Sequence, residues 1–138
     1  MHSYIHNVQY YETDKMGIVH HSNYVRWMEE ARCNLLASIG WNYERLEEVG
    51  IVSPVTKIEC KYLFPTKFPE AITINISVAE FKGIKLKVHY DFYNESEKKV
   101  LEGNSEHCFL GSKGTPVNLK KEQPEFFMAL SSMIEPEL

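Results

Sequence analysis

Two runs of strict alternation most constrain what this chain can fold into. Ile72, Ile74, Ile76 and Val78 fall on one side of an extended segment, and Thr73, Asn75 and Ser77 on the other. Ile84, Leu86, Val88, Tyr90 and Phe92 then alternate with Lys85, Lys87, His89 and Asp91. A side-chain period of two belongs to β-strands, and apolar–polar alternation to antiparallel strands with one covered and one wetter face. Lys82-Gly83 lies between the runs as a hairpin tip. Residues 55–64 and 100–110 read as further strands. Residues 4–11 read as a first one, with Tyr4, His6, Val8 and Tyr10 sharing a face.

Against this background one long stretch has a helical period. Tyr24, Trp27, Met28, Ala31, Leu35 and Ile39 follow three- and four-residue spacings, with Arg26, Glu29, Glu30 and Asn34 mostly elsewhere on the cylinder. Ser22 is the expected N-cap and Gly40 the stop signal. A shorter helix is expected over residues 43–49 and another over 124–133. One helix cannot cover both faces of such a sheet. It lies against one face if the sheet curls around it, which leaves a face or an edge for a second copy of the chain. Homodimerisation is the expectation from that geometry.

The 138 residues suit a single domain over 1–138, without repeat or linker. With 43% hydrophobic and 25% charged residues the chain has a globular, not a disordered, composition. A net charge of −4 argues against a general nucleic-acid binder. The acids Glu12, Asp14, Glu29, Glu30, Glu44, Glu47 and Glu48 crowd the first 50 residues, while lysines crowd residues 57–99. Such lysines can receive a phosphorylated small molecule or form a solvated sheet face. Cys33, Cys60 and Cys108 lack any paired spacing and are expected as reduced thiols. The first residues do not read as a signal peptide and no apolar run reaches membrane-span length, so a cytoplasmic location is expected.

Metal chemistry has weak support, because His20 and His21 are adjacent and point in different directions; no metal site is expected. No Gly-x-Ser-x-Gly elbow, Walker loop or dinucleotide fingerprint occurs. What remains is Asp14 in a turn with Gly17, shortly before the apolar helix. Free amides at a helix start carry partial positive charge and can accept an oxyanion. A carboxylate beside them is a minimal hydrolysis site. On the residues alone, an Asp before a helix is usually a turn or capping residue.

The wording of the segment adds to this. YETDKMGIVHHSNY resembles the signature of the 4-hydroxybenzoyl-CoA thioesterase branch of the hotdog-fold superfamily, and VRWMEEAR is similar to the helix of bacterial short-chain acyl-CoA thioesterases. KIECKYLFPTKFPEAITI and HCFLGSKGTPVNLKKEQPEFF are similar to later family stretches, so the likeness spans nearly the whole chain. The resemblance implies an α+β hotdog fold: an antiparallel five-stranded sheet wrapped around a long central helix, assembled as a homodimer or dimer of dimers. It implies hydrolysis of a short- to medium-chain or aromatic acyl-CoA. Asp14 would act as nucleophile or general base, with the His21 N–H as oxyanion donor, Gly17 admitting the acyl group and Tyr24 beside the site. Coenzyme A enters as part of the substrate, with no separate cofactor, and Lys61, Lys82 and Lys85 are candidates for its phosphates. Two other readings stay open, a thioesterase acting on acyl carrier protein and a non-catalytic acyl-CoA-binding protein. Glu30, on the long helix, reads as structural.

Overall fold

A computed structural model describes residues 1–134; the last four residues of the expected 1–138 domain lie outside the described residues. Strand β1 (His2–Asn7) leads through a short 3-10 turn, Tyr10–Glu12, to helix α1 (Ser22–Ser38) and helix α2 (Tyr43–Glu48). Strands β2 (Val55–Tyr62), β3 (Ala71–Phe81), β4 (Lys85–Tyr93) and β5 (Lys99–Cys108) follow, then the short helices α3 (Leu119–Glu122) and α4 (Pro124–Ser131). The strands form one sheet in the order β1-β3-β4-β5-β2, with every pairing antiparallel.

The alternation in sequence sets the two faces. Ile72, Ile74, Ile76, Val78, Leu86, Val88, Tyr90 and Phe92 are all buried. Opposite them α1 buries Tyr24, Trp27, Met28, Ala31, Leu35 and Leu36. Each large side chain taken out of water here contributes about 1.5–3 kcal/mol, so this helix–sheet seam dominates stability. Ile84 departs from the pattern: it precedes β4 on the hairpin and is exposed. Gly83 holds that hairpin with a φ of +109°, a conformation L side chains rarely adopt.

Two boundaries differ from expectation. β1 stops at Asn7 instead of running to residue 11, and Tyr10 is exposed. The chain turns because the Glu12 carboxylate accepts a hydrogen bond from the Gln9 N–H at 2.7 Å, which closes the 3-10 turn. Ser22 is the first helical residue and not the N-cap; His21 caps α1 without a side-chain hydrogen bond. The Ser22 hydroxyl instead meets His20 Nδ1 at 2.8 Å.

The two ends of the sheet are closed differently. At the β3–β4 hairpin end α4 brings Phe126 against Trp41 and Phe109, and Phe127 against Phe81. At the other end, where β2 finishes and α1 begins, there is an open cavity.

Candidate active site

Asp14 sits at the base of a tight loop. Its N–H donates to the Ile18 carbonyl at 2.9 Å, and its carbonyl accepts from the Gly17 N–H at 3.0 Å. Gly17 closes the turn at a φ of +79°, which explains the glycine without any substrate contact. Asp14 Oδ1 accepts from the Met16 N–H at 2.8 Å. Its other carboxylate oxygen has no hydrogen-bond partner among the described residues.

The start of α1 stands next to this loop. Three of its main-chain donors are occupied: Ser22 N–H by His20 Nδ1 at 3.3 Å, Asn23 N–H by the His20 carbonyl at 3.0 Å, and Tyr24 N–H by the His21 carbonyl at 3.4 Å. The His21 N–H has no acceptor among the described residues. A carboxylate oxygen and a main-chain donor are therefore both unpaired among the described residues.

Both residues line one cavity of about 330 Å³, together with Ile18, Val19, His20, Tyr24, Tyr62, Leu63, Phe64 and Pro65. Tyr24 forms its buried wall, with its ring 5.5 Å from that of Tyr62 and 5.0 Å from that of Trp27. Burial pushes the Tyr24 phenol above its ordinary value, and so it stays protonated at neutral pH. The walls are mostly aromatic and aliphatic, with few polar groups, as in sites that take an apolar group by its shape.

Of the residues singled out in the sequence, Asp14, His21 and Tyr24 thus meet around one cavity, while Gly17 supports the loop behind Asp14. The lysines do not converge on it. Lys61 lies on edge strand β2, next to cavity residue Tyr62. Lys82 and Lys85 lie at the β3–β4 hairpin, with Lys85 paired opposite Cys108 at the far end of β5. Roughly 25 Å of strand separates that end from the cavity. Lys82 is also within 3.7 Å of Glu80, and Lys87, Lys57 and Lys99 each meet a carboxylate. Much of the lysine-rich region is therefore a ladder of exposed ion pairs.

Sequence reasoning missed a buried cluster behind the site. Glu12 is buried, and its carboxylate accepts from Trp27 Nε1 at 2.6 Å and meets His6 Nε2 at 2.9 Å. The other His6 nitrogen meets Glu30 at 2.8 Å, and Tyr4 donates to the same Glu30 oxygen at 3.1 Å. This is consistent with a structural Glu30. Burial alone would raise the Glu12 carboxyl, but the hydrogen bonds from His6, Gln9 and Trp27 outweigh it and hold the group below the usual range. A second missed group is His89, Asp91 and Glu102 on the polar sheet face, whose ligand atoms lie within 4.8 Å of one another. The Lys99 ammonium already sits 2.8 Å from Asp91 there.

The family model described as the thioesterase-like superfamily matches residues 8–130. The chain belongs to that superfamily. A Bacillus subtilis protein named "Putative acyl-CoA thioesterase YneP" is 32% identical over 123 residues, 88% of this chain and 89% of its own. Among solved structures, a DHNA-CoA thioesterase from Staphylococcus aureus superposes with a TM-score of 0.89 at 28% identity, covering 94% of this chain and 88% of that one. A hypothetical protein from Aquifex aeolicus gives 0.85 at 31% identity, covering 92% and 99%. The fold is thus the hotdog fold that the sequence resembles. No helix among the described residues is long and apolar enough to cross a membrane.

Proposed function

We propose that this protein hydrolyses acyl-CoA thioesters in the cavity at the start of α1, with Asp14 as the catalytic carboxylate. The observation that carries this reading is that an Asp14 oxygen and the His21 N–H, both without a partner among the described residues, belong to two residues of one largely apolar cavity. The names of the B. subtilis and S. aureus relatives support the substrate class.

In this mechanism the acyl group lies against Tyr24, Tyr62 and Phe64. Asp14 attacks the thioester carbonyl carbon, or takes a proton from a water that does so. The carbonyl oxygen becomes an oxyanion and accepts from the His21 N–H, a donor already fixed before charge develops. Collapse of the tetrahedral species breaks the C–S bond and expels the thiolate, which takes its proton from protonated Asp14 in the general-base route and from solvent water in the nucleophilic one. In the nucleophilic route water then cleaves the anhydride and restores Asp14. Both routes consume one water and yield a carboxylic acid and coenzyme A.

The 330 Å³ volume suits a short to medium chain or a single aromatic ring. Lys61 is the one of the three proposed phosphate partners that lies near the cavity. A second copy of the chain is part of the same reading: Tyr62, Leu63, Phe64 and Phe68 are exposed apolar residues in and just beyond edge strand β2.

The test is thiol release from a series of acyl-CoAs of graded chain length and from benzoyl-CoA. Turnover of at least one at kcat/KM above ~10⁴ M⁻¹s⁻¹ is expected of an enzyme on its own substrate class. Tight binding with no thiol release from any of them would instead favour a binding protein.

A further inference from the structure

We propose that Glu12 is the positioning residue of the site, a buried carboxylate that sets the Asp14 loop and the start of α1 at a fixed separation. The inference rests on the active-site reading above and adds a residue to it.

The side chain of Glu12 is anchored on three elements. Oε1 accepts from the Gln9 N–H at 2.7 Å and meets His6 Nε2 on β1 at 2.9 Å; Oε2 accepts from Trp27 Nε1 on α1 at 2.6 Å. The His6 ring stacks on Trp27 with centroids 4.3 Å apart, and its second nitrogen is held by Glu30 at 2.8 Å. Each nitrogen of the ring thus faces one carboxylate, Nε2 that of Glu12 and Nδ1 that of Glu30. Glu12, His6 and Trp27 are buried, and hydrogen bonds to a charged acceptor there are strong and leave little freedom.

The main chain of the same residue carries the constraint to the site. The Glu12 carbonyl accepts from the His20 N–H at 2.9 Å and from Asn23 Nδ2 at 2.9 Å. His20 directly precedes His21, whose N–H is the free donor, and Asn23 is in the first turn of α1. In the other direction Glu12 is two residues from Asp14, through Thr13, which bridges Val19 and donates its hydroxyl to the Tyr10 carbonyl at 2.8 Å. One residue therefore holds both the carboxylate loop and the oxyanion donor. The loop tip at Lys15, Met16 and Gly17 is exposed, and the other ties of the segment lie beyond it, in the Ile18–Lys67 bridge and the Val19 N–H to the Thr66 carbonyl at 2.8 Å.

Catalysis depends steeply on such placement, and a displacement of about 1 Å can cost about 100-fold in rate. Glu12→Gln preserves shape but replaces one acceptor oxygen with an NH₂ group, which must face either Trp27 Nε1–H or the donors at Oε1. One anchor is then lost. We expect kcat to fall ~10- to 100-fold with KM changed less than ~3-fold, because the cavity walls are untouched. Amide exchange should quicken over residues 13–21 and stay unchanged in β3–β5.

A folded Glu12→Gln protein with kcat within ~3-fold of wild type and unaltered exchange overturns the proposal. If that variant does not fold, Trp27→Phe decides: it keeps the ring against Phe92 and removes a single donor. A local rise in exchange over residues 13–21 with reduced kcat supports the role, and neither change overturns it. Asp14→Asn measured in parallel separates the two readings. Full turnover in that variant defeats the active-site reading, while the exchange pattern still decides what Glu12 holds.

Discussion

At the scale of single residues, His107 gives the clearest test of burial. Its side chain is fully buried on β5, with Nε2 2.7 Å from the Ser105 hydroxyl and Nδ1 without a hydrogen-bond partner among the described residues. Burial, aided by the Arg32 cation, pushes it down to about 3. The folded form holds it neutral, whereas the unfolded chain protonates it near 6.5. This contribution is complete above the unfolded value and is lost as pH falls below it. Between pH 7.5 and 5 the loss amounts to about 2 kcal/mol, its slope approaching about 1.4 kcal/mol per pH unit. Equilibrium unfolding in urea at the two pH values should show that drop in wild type and a flatter dependence in His107→Gln. Residues of this kind were hard to read in advance. His107, Glu12 and Arg32 look like surface residues by type, and only distant partners such as Trp27 and Tyr90 make their burial tolerable.

At the scale of elements, periodic residues were legible and their ends were not. The buried run Ile72–Val78 and the α1 stripe from Tyr24 to Leu35 stand where their spacing puts them. The end of β1 was set by a Glu12 side chain reaching back to Gln9, and the start of α1 by His21 without a capping side chain. Neither follows from period. The β3–β4 hairpin offers a control for the whole account, because it lies at the end of the sheet away from the cavity. A Cβ on Gly83 would meet Asn118 Oδ1 at 2.6 Å, in addition to the strained φ of +109°. Gly83→Ala should therefore cost about 2 kcal/mol in a denaturant titration and leave kcat within about 2-fold. A large loss of kcat with stability unchanged would contradict the placement of chemistry at the α1 end.

At the scale of the whole molecule, one helix on one face of a five-stranded sheet leaves apolar surface with no cover in a single chain. Edge strand β2 and the segment after it expose Val55, Tyr62, Leu63, Phe64 and Phe68, three of which (Tyr62, Leu63 and Phe64) also line the cavity. Sedimentation at micromolar concentration should give a dimer or larger; a monomer there would remove the second copy from the reading. That Asp14, His21 and Tyr24 share one cavity was legible because a turn, a helix start and a helix face lie close along the chain. That Lys82 and Lys85 lie at the opposite end of the sheet was not legible, because sequence gives strand alternation and not which end of the sheet faces the helix start. The central claim is that the Asp14 carboxylate does the chemistry, and its kinetics test that most directly. With an acyl-CoA that wild type turns over, Asp14→Asn should lose at least ~100-fold in kcat while keeping its thermal midpoint within ~3 °C, since an exposed carboxylate contributes little to folding. A folded Asp14→Asn protein with near wild-type kcat would contradict the account.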